Sequence, residues 1–113
     1  MSTTQSTMDY ILDQLSPLRD VSVRKMFGEY AMYYEGKVVG LVCDDKLYIK
    51  RTEPGKEFVG EFYQEGFAYT GAKASMFVEE ERIEDGQWLS ELIQITAESL
   101  PIPKKKKQKK VAR

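Results

Sequence analysis

An α+β fold, with one antiparallel sheet and helices packed on one of its faces, is predicted by three features of the sequence. Two segments, one near each end of the chain, have apolar residues at helical spacing. Between them lie short runs rich in alternating, β-branched and aromatic residues, which is typical of strands. Two-residue turn signals, Glu35-Gly36 and Asp44-Asp45, separate three of these runs. The predicted order is α-β-β-β-β-α-β-β-α.

The first helix is predicted from Thr7 onward, with Ser6 or Thr7 as its N-cap. Its apolar residues recur at the spacing of one helix face: Met8, Ile11, Leu12 and Leu15. Residues 21–25 then alternate apolar and polar, which predicts a strand. The break at 26–28 is interpreted as a packing turn, in which Phe27 fills the core and Gly28 takes a backbone conformation that other residues resist. A binding loop is the alternative.

A three-stranded meander is predicted next. Its strands are Tyr30–Tyr34, Lys37–Cys43 and Lys46–Lys50, joined by the two turns named above. Because two-residue hairpin turns need positive φ, Gly36 is expected to have it.

The second half is predicted to contain two helices and two short strands. A helix begins after Thr52, with Pro54 in its first turn, and ends at Gly66. The strands are Phe67–Tyr69 and Met76–Val78. The last helix, about 86–100, is capped by Asp85, and its apolar stripe includes Trp88, which is expected to lie buried against the sheet.

Charge divides the chain at its last helix. Residues 1–100 carry a net charge of −8 and residues 101–113 carry +7, which gives the overall −1. The boundary at Pro101-Ile102-Pro103 predicts a domain of residues 1–100 and a disordered, lysine-rich tail of residues 101–113. The tail is a candidate for non-specific nucleic-acid contact through its cations, which are Lys104, Lys105, Lys106, Lys107, Lys109, Lys110 and Arg113. Truncation after Leu100 is then expected to remove DNA binding. The alternative to nucleic-acid contact is that the tail only increases solubility, or that it folds back on the acidic domain.

Absent residue types exclude several chemistries. The chain has no histidine and one cysteine, so it cannot build a Ser-His-Asp triad, a Cys-His pair or a thiolate zinc site by itself. Neither common phosphate-binding glycine loop occurs. No secretory signal or membrane-spanning run is visible, which indicates a cytoplasmic protein without a membrane partner. A small carboxylate- or metal-dependent enzyme remains the alternative from another class.

Three further groups of residues could carry function. The acidic residues Glu79–Glu81, Glu84 and Asp85 could bind a hard cation, or simply favour a helix N-terminus. Cys43 could sense redox state, although neighbouring acids would raise its pKa. Aromatic rings on adjacent strands could stack nucleic-acid bases, with about half of the rings facing the helices instead: Tyr30, Tyr33, Tyr34 and Tyr48.

The segment Arg24–Lys50, RKMFGEYAMYYEGKVVGLVCDDKLYIK, resembles the N-terminal domain of the TfoX/Sxy family of bacterial competence regulators. The resemblance covers about residues 9–100. Its motif residues, taken as mainly structural, are Met26, Phe27, Gly28, Tyr30, Tyr33, Gly36, Leu47, Tyr48 and Lys50. In this chain Glu29 and Ala31 stand where the family often has glycine.

The resemblance implies a small α+β domain, similar in fold to type III secretion chaperones, with no catalytic residue and no cofactor, that acts in transcriptional regulation through protein interaction. Some members of the family carry a second, helical domain, and this chain is expected to be a stand-alone form of the first. The implied partner is the transcription machinery or the cyclic-AMP receptor protein. A chaperone-like adaptor is a further alternative that rests on fold analogy alone, and it would be expected to form a homodimer.

Overall fold

The fold is built on one six-stranded antiparallel sheet, seen in a computed structural model that describes residues 3–101. The strand order across the sheet is β1-β2-β3-β4-β6-β5. The strands are β1 (Val21–Met26), β2 (Glu29–Tyr34), β3 (Lys37–Cys43), β4 (Lys46–Lys50), β5 (Glu65–Gly66) and β6 (Ser75–Val78). The predicted fold class is therefore confirmed.

Four helices accompany the sheet. They are α1 (Gln5–Gln14), α2 (Glu53–Val59), α3 (Glu80–Ile83) and α4 (Gly86–Ser99), and a 3-10 turn (Gly60–Phe62) continues α2. None of the helices within residues 3–101 has both the length and the apolar character needed to cross a bilayer.

The core lies between the helices and one face of the sheet. From the helices, Met8, Ile11, Leu89, Leu92 and Ile93 are at most 1% exposed. They meet buried strand residues from four adjacent strands: Tyr30, Met32, Val39, Val42, Leu47, Ile49, Met76 and Val78. This single apolar cluster explains why the helices collect on one face and leave the other face without them.

The predicted meander is confirmed, and so are its turns. β2 pairs with β3 and β3 with β4, both antiparallel. Glu35 and Gly36 have φ of 52° and 80°, and both aspartates of the second turn also lie in the left-handed region. The register shifts between Met32 and Tyr33, so that Val39 is an extra residue and points into the core.

The helix ends differ from the prediction in two places. Helix α1 begins earlier, because the side chain of Thr4, and not that of Ser6 or Thr7, accepts the capping bond from the Thr7 N–H. Helix α2 ends at Val59 and not at Gly66, because Gly60 has a φ of 57° that a helix cannot continue through.

The prediction of a strand at Phe67–Tyr69 is wrong, because the structure has no strand at these residues. Pairing stops at Gly66, whose backbone lies so close to the Tyr48 ring that an added Cβ would meet that ring at 3.0 Å. Phe67 and Tyr69 follow outside the sheet and are 57% and 60% exposed. The aromatic pattern indicated a strand, but β6 begins at Ser75, the partner of Gly66, so no strand residue is left to pair with Phe67.

Trp88 does not lie buried against the sheet as predicted. It is half-buried, and its ring stacks on Phe58 of α2 with centroids 5.6 Å apart. The guanidinium of Arg82 lies 5.6 Å from the same ring. Helix α4 presents Leu89 and Leu92 to the sheet, so the neighbouring Trp88 points sideways toward α2.

Candidate functional site

The face of the sheet opposite the helices carries a row of side chains that the core does not use. Across this row, Ala31 of β2 pairs with Leu41, Leu41 with Tyr48, and Tyr48 with Phe77. Of the four tyrosines considered for base stacking, Tyr30 and Tyr34 pack on the core, and the other two lie on the helix-free face. The expected division of these rings between the two faces is therefore confirmed.

The segment 67–74 crosses this face and divides its surface. A turn closed by the Ala72 N–H and the Tyr69 carbonyl, 3.0 Å apart, reverses the segment. Gly71 in that turn has a φ of 87°, which favours glycine. Ala68 and Tyr69 line a cleft on each side together with Leu41. One cleft is apolar and the other basic.

The apolar groove has a volume of about 430 Å³. Apart from Glu29 at its edge, its lining is apolar or aromatic: Met26, Phe27, Tyr30, Leu41, Cys43, Ala68 and Tyr69. Met26 and Tyr69 are 41% and 60% exposed, so the rim of the groove also presents apolar surface to solvent. Exposed apolar patches of this kind mark interaction surfaces in proteins.

Phe27 stands at the rim of this groove and is fully exposed, which overturns the prediction that it fills the core. It occupies the two-residue turn between Met26 and Glu29, with φ of 51° for Phe27 and 83° for Gly28. Such a turn projects beyond the end of the sheet, so its side chain cannot reach the core. Left-handed backbone is unfavourable for a bulky residue, and neither packing nor local preference explains an aromatic ring here.

The turn that carries Phe27 is joined to the N-terminal segment and to the β3–β4 turn. The Thr3 hydroxyl donates to the Glu29 carboxylate at 2.7 Å, and the Asp44 N–H donates to the same oxygen at 3.0 Å. The Asp45 carboxylate accepts from the Thr4 N–H at 2.9 Å and from the Thr7 hydroxyl at 2.8 Å. These bonds hold the pKa of both carboxyls below their ordinary values.

The bonds to Asp45 predict an acid-dependent loss of stability. Because the folded pKa of Asp45 lies below its unfolded value, its stabilising effect is complete above about pH 4 and is lost as pH falls through the folded pKa. We expect the difference in Tm between the wild type and Asp45→Asn to be constant from pH 7 to about pH 5 and to change in more acidic buffer. A difference that stays constant down to pH 2.5 would contradict this prediction.

Cys43 lies at the floor of the apolar groove and is 7% exposed. Burial raises the pKa of its thiol, and the carboxylates of Glu29 and Asp44 raise it further. A thiol held protonated is a poor nucleophile, so its surroundings are those of a packing residue and not of a redox sensor.

The basic cleft, on the other side of the crossing segment, has a volume of about 530 Å³. Lys50, Arg51 and Lys73 line it, together with Tyr48 and Tyr69. Its remaining lining residues carry no carboxylate: Gly40, Leu41, Ala68, Gly71, Ala72, Ala74, Ser75 and Leu100.

The remaining sequence candidates lie elsewhere. The tail cations, from Lys104 to Arg113, are outside the described residues. The acidic run forms the short helix α3 and the cap of α4, where Asp85 accepts from the Trp88 N–H at 3.1 Å. Within residues 3–101, no three carboxylate or thiol groups are grouped as a metal ion would need. Asp85 therefore acts as the helix cap that the sequence predicted.

Comparison with known proteins adds two findings. Residues 13–100 match the family described as the TfoX N-terminal domain. A protein of Spirochaeta aurantia named "Uncharacterized 12.7 kDa protein in trpE 5'region" is 39% identical over 109 residues, which cover 96% of this chain and 93% of that protein.

Proposed function

Since the chain belongs to the TfoX N-terminal domain family, we propose that it is a non-enzymatic cytoplasmic module that acts in transcriptional regulation by binding a protein. The partner we propose is the cyclic-AMP receptor protein or another component of the transcription machinery. The observation that carries the proposal is the full exposure of Phe27 on a left-handed turn beside an apolar groove.

The exposed Phe27 ring is available to contribute binding energy, because the fold does not use it. An aromatic ring in water gains nothing for the fold, and its left-handed backbone costs roughly 1–3 kcal/mol. Burial of that ring by a partner recovers apolar transfer energy, and aromatic residues are enriched among the residues that dominate protein interfaces. The bonds that the Glu29 carboxylate accepts from the Thr3 hydroxyl and the Asp44 N–H hold the turn in place, which lowers the entropy lost on binding.

The lysine-rich tail adds a second, auxiliary contact in this proposal. Its seven cations can neutralise DNA phosphates without reading the base sequence. It would hold the module near DNA while the groove binds the protein partner.

Phe27→Asn separates binding from folding. Asparagine tolerates left-handed backbone, and Asn before Gly28 is a preferred pair for this kind of turn, so we expect Tm to be unchanged or higher. Partner affinity is expected to fall at least about 30-fold, because aromatic anchors at interfaces contribute 2 kcal/mol or more. The measurements are thermal unfolding and the Kd for the partner.

A photo-cross-linking amino acid at position 27 of the full-length chain, used in the source cell, identifies that partner. The same amino acid at Gln94, which is exposed on α4 on the opposite side of the domain, is the matched control. A transcription protein captured from position 27 and not from 94 supports the proposal. Capture of a second copy alone would favour the chaperone-like adaptor, and capture of equal products from both positions would show that Phe27 is not an interface residue.

A further inference from the structure

The net charge of the domain is unevenly distributed over its surface. The four helices contain eight carboxylates and two cations, which are Asp9, Asp13, Glu53, Glu57, Glu80, Glu81, Glu91 and Glu98 against Lys56 and Arg82. The strands contain five cations and two carboxylates, which are Arg24, Lys25, Lys37, Lys46 and Lys50 against Glu29 and Glu65. Among these elements, the carboxylates that repel a polyanion are therefore concentrated in the helices, while eight further carboxylates lie in turns, in loops and in the 3-10 turn.

Two cations of the basic cleft are free to bind an anion. Arg51 is engaged, because its guanidinium lies 3.0 Å from the Glu65 carboxylate. Within residues 3–101, no carboxylate lies at ion-pair distance from Lys50 or Lys73. Both lysines line the same cleft, so a chain of phosphates could contact them together.

Aromatic rings lie beside these cations. Tyr69 is 60% exposed at the border of the cleft, and the half-buried Tyr48 forms part of its lining. Tyr33 lines an adjoining cleft that Lys50 shares, and the Arg24 guanidinium lies 5.8 Å from its ring. Cations interleaved with rings are the pattern of surfaces that bind single strands, because the phosphates and the bases each find a partner.

The described chain ends at this same place. Pro101 lines the adjoining cleft together with Lys50 and Tyr33. Two residues lie between Pro101 and Lys104, so their Cα atoms are three steps and at most about 11 Å apart. The first tail cations and the cleft are therefore within reach of one bound strand.

We propose that the basic cleft binds single-stranded nucleic acid, with Lys50 and Lys73 on its phosphates and a base stacked on Tyr69. This goes beyond the proposed function, because it places a second site on the folded domain, on the other side of the segment 67–74 from Phe27. An acidic peptide would use the lysines but not the faces of the rings, which is why the rings favour nucleic acid.

The test uses the full-length chain with its six tail lysines and Arg113 changed to glutamine, so that only the domain can contribute. Binding of fluorescent oligodeoxyuridylate and oligouridylate, which differ only in the 2′-hydroxyl, is measured by anisotropy over a range of salt concentrations. We expect residual binding of at least one strand, with a difference between the two strands reporting recognition of the sugar. Lys50→Glu with Lys73→Glu is expected to weaken that binding and to reduce the slope of log K against log salt by about 1.4.

Tyr69→Ala provides an independent readout. Loss of stacking is expected to weaken binding by at least roughly fivefold and leave the salt slope unchanged, since a neutral ring releases no counterion. Tyr69→Trp, which keeps a stacking face, is expected to bind as the parent does. Arg19→Glu is the charge control for Lys50→Glu and for Lys73→Glu made singly, because each of the three replaces one cation with one carboxylate; Arg19 lies in the loop between α1 and β1, outside the cleft.

Four results would overturn the proposal: no binding of either strand by the tail-neutralised chain, equal loss from Arg19→Glu, equal affinity for duplex DNA, or equal competition by polyglutamate. Circular dichroism of every variant shows that a loss is not unfolding. The Phe27 cross-linking result does not bear on this site, so the two proposals fail separately.

Discussion

Leu92→Ala is expected to lower the free energy of unfolding by about 2–5 kcal/mol. Leu92 is fully buried on the face of α4 that packs on the sheet, within the one apolar cluster that joins helices and strands. Truncation there removes apolar contacts and leaves a cavity that the surrounding strands cannot fill. Since small domains are stable by about 5–15 kcal/mol, the variant is expected to have lost a large share of its stability.

Denaturant titration of the wild type, Leu92→Ala and Gln94→Ala measures this effect. Gln94 is exposed on the same helix, so its truncation is expected to change stability by less than about 0.5 kcal/mol. Equal and small effects from both variants would show that α4 does not pack on the sheet through the face assigned here.

Glutamine at the six tail lysines is expected to remove almost all binding of duplex DNA by the full-length chain. Six lost phosphate contacts would reduce the slope of log K against log salt by up to about 5, because each contact contributes about 0.9. Binding by the wild type is expected to be independent of sequence, since flexible lysines are point charges without the geometry to read bases.

Anisotropy titrations with two unrelated duplexes at several salt concentrations test this expectation. Truncation after Leu100 is expected to have at least the same effect, because it removes the six lysines and Arg113. A salt-resistant preference for one duplex that survives neutralisation would place a sequence-specific site on the domain and contradict the prediction.

Local sequence patterns were enough to predict most of the sheet. Each hairpin turn is predicted from two adjacent residues, Glu35-Gly36 or Asp44-Asp45. Each strand is predicted from the alternation of side chains within that strand alone. Such signals need no knowledge of distant residues, which is why the meander and the Asp85 cap of α4 agree with the structure. The short helix α3, with four residues, lacked a long enough apolar period to be predicted.

Besides the helix ends, the predictions that failed in the sheet and the core depended on a distant partner. Phe67 and Tyr69 have strand-like composition, but β6 begins at Ser75, the partner of Gly66, and has no residue left to pair with them. Trp88 belongs to an apolar stripe, but the position of α2 turns it away from the sheet. In each case the deciding contact joins residues far apart in the chain, and a pattern read within one segment does not contain it.

The candidate surfaces show the same division. The fold class, the change from an acidic domain to a basic tail after α4, and the exclusion of histidine and multi-cysteine chemistry follow from the amino-acid sequence. The exposure of Phe27, and the position of Lys50 and Lys73 in one cleft beside Tyr69, became visible only in the folded chain. Composition and periodicity are properties of a segment, whereas exposure and convergence depend on which segments the core brings together.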